Sequence, residues 1–209
     1  PAATVGGVVS TDEAGPLRLA FGTAGDLVAG LEFVSADGVV RRGQVGGGLP
    51  AAAQGQEPAA GRGAELAPLL VGAAGTLGVI TRAVLRVSGR PHAAAWVLRS
   101  VRTPAEVRDL TVAVVGAHRW LSGFEVDHPV GPSLVAAHVE GHPGEVATRV
   151  RALRRTLGGD ATERREPPSW WGRYPFAPAG AALRLTVPPH QVHAAVYVLR
   201  DAAGGVVPV

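Results

Sequence analysis

The chain has 209 residues, enough to bury a sizeable core, and the length suits one large domain or two small ones; two is the favoured reading. It holds no Cys, which excludes disulfides and thiolate metal sites and fits a reducing cytoplasm. The 20 basic residues are all Arg, Lys and Asn are missing as in a GC-rich coding bias, and the net charge is only +3, so the composition gives no nucleic-acid signature. No apolar run approaches the ~20 residues of a membrane span, and no charged-then-apolar signal segment opens the chain.

Residues 1 to 87 read as short strands separated by Gly and Asp turns. Leu31 to Ala36, then Asp37-Gly38, then Val39 to Arg41 is a hairpin pattern, because Asp-Gly takes the positive φ of a type I′ turn. Gly43 to Gly63 is a low-complexity tract of Gly, Ala, Gln and Pro expected to be mobile. Glu65 to Leu70 predicts a short helix leading into a loop at Gly72, and Gly78 to Val87 predicts a strand. Ser88-Gly89-Arg90-Pro91 then marks a domain boundary.

From His92 the pattern changes to alternating strand and helix. Ala94 to Val101 predicts a strand, and Thr103-Pro104-Ala105-Glu106 opens a helix with a capping box that runs to about Val115. Strands follow at Ser122 to Val126 and Ser133 to Val139. Gly144 to Leu157 is an amphipathic helix stopped by Gly158-Gly159, Ala182 to Val187 predicts another strand, and Pro189 to Arg200 a last helix. The order reads as a ferredoxin-like α+β sandwich.

Two glycine-rich strings bracket the first half: Thr4-Val5-Gly6-Gly7-Val8-Val9-Ser10-Thr11 and Gly72-Ala73-Ala74-Gly75-Thr76-Leu77-Gly78-Val79-Ile80-Thr81. A dinucleotide pyrophosphate must be approached closely by backbone N–H groups, which only residues without a bulky side chain permit. Gly6-Gly7 and Gly75-x-x-Gly78 supply such backbone, although neither is specific alone and no βαβ unit makes the second a Rossmann fingerprint. Taken in order with Gly15-Pro16-Leu17-Arg18 and with Phe21-Gly22-Thr23-x-x-Asp26-Leu27-Val28-x-Gly30, the strings resemble the second half of a PCMH-type FAD-binding domain. That domain belongs to the FAD-linked oxidases of the vanillyl-alcohol oxidase type, and the resemblance runs from Thr4 to Val87. Val139 to Val146, Trp170-Trp171 and Leu183 to Pro189 further resemble the cap of the bacterial glycolate oxidase FAD-binding subunit.

The resemblance implies an α+β fold in two parts: residues 1–88 as the second subdomain of the FAD-binding domain and 92–209 as a cap, or substrate, domain truncated at its C-terminal end. It implies FAD as cofactor, with Thr4, Gly6, Gly7, Ser10, Thr11 and Gly15 along the pyrophosphate and ribityl chain. Gly75, Gly78, Val79 and Ile80 would lie near the adenosine and pyrophosphate half. The family's phosphate loop precedes the first motif, so a chain that starts at Pro1 inside that motif reads as a fragment. Asp12 stands where the family usually has Asn, and its charge would repel a phosphate if it pointed inward.

The implied activity is oxidation of a 2-hydroxy acid to a 2-oxo acid, with electrons passed to flavin and iron–sulfur partner subunits. The implied location is the bacterial cytoplasm, peripheral at the inner face of the membrane through those partners. The alternative is a degenerate assembly subunit that keeps the fold without flavin. Arg184, in the predicted Leu-Arg-Leu strand, is the candidate for a substrate carboxylate, and no catalytic base is named. His138, Glu140 and His142 would share one face at a sheet edge, as a solvated strand end, and no metal is assigned. Trp170, Trp171, Tyr174 and Phe176 read as packing, with lining of a flavin cleft as the other reading; Arg149, Arg151, Arg154 and Arg155 read as a solvated helix face.

Overall fold

The computed structural model describes residues 3–45, 62–128, 133–174 and 184–202, with 62–65 and 200 described by backbone alone. Most of the low-complexity tract, and Phe176, lie outside the described residues. The chain divides into two compact units, Pro1–Gly89 and Arg90–Val209.

The first unit runs α1 (Val5–Thr11), α2 (Arg18–Phe21), α3 (Ala24–Leu27), β1 (Val28–Ser35), β2 (Val40–Gln44), α4 (Arg62–Leu70) and β3 (Gly78–Leu85). Its sheet is antiparallel in the order β2-β1-β3. Central β1 supplies Val28, Leu31 and Phe33, which are buried with Val9 of α1 and Ala67 and Leu70 of α4.

Val5–Thr11 is a helix, not one of the short strands that the sequence predicts. Two glycines and four β-branched residues form helix poorly on their own, so what decides is context. The Thr4 side chain caps the first turn by accepting the N–H of Gly7, Val9 is 1% exposed in the core, and Asp12 ends the helix in the left-handed region at φ 49°.

The predicted hairpin forms, with Val34 opposite Val40, but its turn is not type I′. Only Gly38 has positive φ (76°), and its N–H donates to Ser35 O at 2.9 Å. This is a type I turn followed by a left-handed glycine, the three-residue solution that suits a right-twisted ribbon. Arg41 pairs with Asp37 at 2.6 Å across the turn.

The second unit runs β4 (Ala93–Val101), α5 (Pro104–Ala117), β5 (Gly123–Asp127), β6 (Ser133–Gly141), α6 (Pro143–Leu157), β7 (Thr162–Arg164), a 3-10 turn (Pro189–Gln191) and α7 (Val192–Ala202). Strand order β5-β6-β4-β7, antiparallel throughout, is the ferredoxin-like arrangement. Alternation sends Ala95, Val97, Val101, Val135, Ala137 and Val139 to the helix-covered face. They meet Val107, Leu110 and Val114 of α5 and Val146, Val150, Leu153 and Leu157 of α6, each set spaced three or four residues apart.

The fourth strand is not the predicted Ala182–Val187, whose described part, Arg184–Val187, lies outside any strand. β7 fills that place, recruited by backbone pairing of Thr162 with Leu98 and Arg164 with Trp96. Thr103 caps α5 by accepting Glu106 N–H at 3.1 Å, but the box is displaced by one residue: the Glu106 carboxylate takes the N–H of Arg102. Thr103→Ala is expected to cost about 1 kcal/mol in chemical denaturation of this unit.

Candidate functional site

The two glycine strings, some sixty residues apart in the chain, meet in the first unit. The last turn of α1 is tied to the loop after α4 by Gly72 N–H donating to Val9 O at 3.2 Å and Ala74 N–H donating to Ser10 O at 2.7 Å. Earlier in α1, Gly6 lies over β3, where a side chain would meet Ile80 O at 3.4 Å. Thr4, Gly6, Gly7, Ser10, Ile80 and the 72–75 loop thus form one neighbourhood. Gly15 lies further along, its carbonyl accepting Arg18 N–H in the turn into α2.

Within that neighbourhood the polar groups divide into occupied and available. Thr4 Oγ1 accepts Gly7 N–H, Thr4 O accepts Val8 N–H, and the Thr11 hydroxyl donates back to Gly7 O and Val8 O. Val5 and Gly6 N–H, at the start of the helix, and the Ser10 hydroxyl have no partner among the described residues. Gly7 is exposed, and no described residue lies within 4 Å of a Cβ built on Gly75, whose φ is 80°.

The glycines differ in why they are glycine. At Gly78 (φ 158°) a Cβ would sit 2.6 Å from Val34 O, because β3 starts hard against the end of β1. That absence of a side chain serves internal packing. At Gly7 a Cβ would meet only the flexible Thr4 Oγ1, at 3.1 Å.

Asp12 does not project into this neighbourhood as a free charge. Its Oδ1 accepts the N–H of Gly25, at the start of α3, at 2.7 Å. Asn would tolerate the same left-handed backbone and accept the same N–H, so Asp12→Asn should be nearly silent. Asp12→Ala should cost about 1–3 kcal/mol through loss of a hydrogen bond to a charged group, read by chemical denaturation of the first unit.

In the second unit the sheet face away from α5 and α6 carries an aromatic cluster in which His138 is buried and Trp96 and Trp171 are half-buried. Trp96 stands opposite His138 across β4 and β6, with rings stacked at 4.3 Å, and Trp171 packs edge-on to both at 6.3 and 5.9 Å. Gly172 N–H donates to Glu125 Oε2 at 2.8 Å, which fastens the Trp170–Gly172 segment over β5.

His138 is therefore not a solvated strand end at a sheet edge. β6 is an interior strand, His138 is 3% exposed, and neither of its ring nitrogens, nor Trp96 Nε1, has a hydrogen-bond partner among the described residues. Burial pulls the His138 pKa down to about 4, so the ring is neutral at pH 7. Burial pushes Glu125 up, helped by nearby Asp127 and opposed by the Gly172 N–H, and pushes Glu140 up as well.

Comparisons with known proteins bear on both units. No protein-family model matches the chain. It is 33% identical over 116 residues to the probable mitochondrial D-lactate dehydrogenase of Danio rerio, covering 55% of this chain and 22% of that protein. It is 30% identical over 126 residues to the mitochondrial D-lactate dehydrogenase (cytochrome) of Arabidopsis thaliana, covering 60% and 20%. The chain spans about a fifth of these relatives. Among solved structures it superposes on the glucooligosaccharide oxidase of Acremonium strictum, described with its bound FAD, with TM-score 0.53 and 13% identity over 77% of this chain and 32% of that one. The carbohydrate oxidase of Microdochium nivale gives 0.54 and 18% identity over 77% and 32%, and alkyldihydroxyacetonephosphate synthase 0.52 and 16% over 73% and 31%. The chain has the fold of part of the PCMH-type FAD-binding oxidases.

Several site features escape the sequence reading. Arg184 is exposed irregular chain without a hydrogen bond or ion pair among the described residues, not a strand residue. Ala74 adopts φ 50°, rare for a residue with a side chain, in donating to Ser10. Trp96 carries its signal in strand alternation, which puts it on the face opposite Val97, but not in any motif. Among the described residues no group of three or more His, Asp or Glu is placed to hold a metal, and no helix is long and apolar enough to cross a membrane.

Proposed function

We propose that this chain is part of an FAD-dependent oxidoreductase that converts a 2-hydroxy acid to a 2-oxo acid, resembling the FAD-binding subunit of glycolate oxidase. The observation that carries the reading is the meeting of the two glycine strings around α1. The residues there fit an anionic group: two amides at the helix start without an acceptor, the Ser10 hydroxyl without a partner, and exposed Gly7 and Gly75.

In this reading residues 1–88 are the second subdomain of the FAD-binding domain and 92–209 the cap. Thr4, Gly6, Gly7 and Ser10 hold the pyrophosphate, with Thr11 and Gly15 beside them, while Gly75, Gly78, Val79 and Ile80 line the adenosine side. When bound, FAD supplies the hydride acceptor for the oxidation. The polypeptide's part is to approach the phosphates with backbone amides and to keep Asp12 turned away, its carboxylate engaged by Gly25. Identity with two D-lactate dehydrogenases supports a hydroxy-acid substrate. Flavin and iron–sulfur partner subunits would carry the electrons onward.

A degenerate assembly subunit is the second reading, favoured by Gly78, whose lack of a side chain is accounted for by packing on Val34 alone. The test is anaerobic reduction of the flavin-loaded natural protein by D-lactate and by glycolate, followed by flavin bleaching. Bleaching by either supports the proposal. A flavin that neither compound reduces overturns the activity, and a folded protein that takes up no flavin supports the second reading.

A further inference from the structure

On the open face of the second unit's sheet, β4, β7 and the segment that follows β7 enclose a cleft of about 330 Å³, a size at the low end for small-molecule sites. Leu98 and Pro168, both buried, contribute apolar lining, and Trp170 adds its indole. Ser100, Thr162 and Ser169 line it with hydroxyls that have no hydrogen-bond partner among the described residues.

Two charged residues of the lining, Arg164 and Asp160, also lack any hydrogen bond or ion pair there. Arg99 borders the cleft too, but its guanidinium is engaged by Glu106 at 2.6 Å and by the carbonyl of Leu157. Among the described residues the free cation of the cleft is thus Arg164. It stands opposite Trp96 in the β7–β4 ladder, two residues from Thr162 and on the same face.

We infer that this cleft binds a small monocarboxylate bearing several hydroxyl groups, of the sugar-acid class. The Arg164 guanidinium offers the planar fork that matches a carboxylate. The three hydroxyls and Asp160 offer donors and acceptors to hydroxyl groups along the ligand, and Trp170 gives its C–H faces an apolar wall. Asp160 also disfavours ligands with more than one negative charge, because it adds a second anion to the same small space. The inference does not rest on flavin binding and can be tested without it.

The experiment titrates the full chain with D-gluconate by calorimetry and tryptophan fluorescence, beside D-glucose, acetate and inorganic phosphate. Saturable gluconate binding is expected, with the other three about tenfold weaker or worse. Arg164→Gln should lower gluconate affinity by about tenfold or more. The fold should survive, since the exposed Arg164 side chain makes no hydrogen bond or ion pair among the described residues, and a far-UV spectrum checks it. Arg155→Gln, on the exposed face of α6, should behave as the parent. Phosphate or acetate binding as well as gluconate would reduce the cleft to a general anion patch. That result, an Arg164→Gln response equal to the parent's, or no saturable gluconate binding would overturn the inference.

Discussion

Gly78→Val should unfold the first unit while leaving the second intact. Its Cβ would fall 2.6 Å from Val34 O, a backbone atom of the central strand that has no freedom to retreat, and the backbone there sits at φ 158°. A branched side chain at such a place costs about 3 kcal/mol or more, a large fraction of the stability of so small a unit. All four tryptophans lie in the second unit, so tryptophan fluorescence should report a normal transition there while amide exchange protection along β1 is lost. Gly75→Ala is the control: no described residue lies within 4 Å of the added carbon, so the left-handed backbone, at about 1 kcal/mol, is what opposes it. Parent-like β1 protection in Gly78→Val would show that this packing account is wrong.

The second large effect is acid sensitivity of the second unit. His138 takes up its proton near pH 6.5 when unfolded but near 4 when folded, because burial against Trp96 and Trp171 disfavours the cation. Its contribution is fully present above pH 6.5 and is lost as pH falls from 6.5 to 4, where the unfolded chain binds a proton that the folded one resists. At ~1.4 kcal/mol per pKa unit the loss amounts to about 3 kcal/mol. Glu125 and Glu140 act with the opposite sign: their raised pKa values make the folded unit lose stability as pH rises through the carboxylate range. His138→Phe keeps a ring against Trp96 and removes the titration, so comparing it with the parent isolates the histidine. Unfolding followed by tryptophan fluorescence at several pH values should show the parent weakening on acidification more than His138→Phe; parallel curves would mean that the folded ring is not held neutral.

Much of the second unit is legible in its sequence because local signals agree there. Thr103-Pro104 starts α5, Gly158-Gly159 stops α6, and the apolar spacing of Val146, Val150, Leu153 and Leu157 names the buried stripe. β7 carries no such signal. Thr162, Glu163 and Arg164 are polar and exposed, and only backbone pairing with β4 makes them a strand. Arg184 shows the converse, since an alternating Leu-Arg-Leu-Thr-Val run predicts a strand that its described residues do not form.

The first unit is harder because its glycines erase local preference. Nothing within Val5–Thr11 favours helix over strand until Thr4, the residue just before it, caps it and Val9 is buried against the sheet, and that burial depends on residues distant in the chain. The order of the glycine strings could be read directly, but their junction at Ser10 and Ala74 depends on a left-handed alanine that sequence does not announce. His138 alternates correctly in its strand. Its burial comes from Trp96 on the neighbouring strand together with Trp171, a residue far along the chain.

That the start of α1 holds a flavin pyrophosphate turns on Gly7 rather than Gly78, because a Cβ at Gly7 meets, among the described residues, the Thr4 side chain at 3.1 Å and no backbone atom. The decisive measurement is FAD binding by the longest natural form of this chain, parent and Gly7→Val side by side, from flavin absorbance retained after gel filtration. Stoichiometric flavin is expected in the parent and little or none in the variant, with the thermal transition of the first unit preserved, because the valine blocks the approach of the phosphates to the backbone. Equal flavin content in two folded proteins would contradict it.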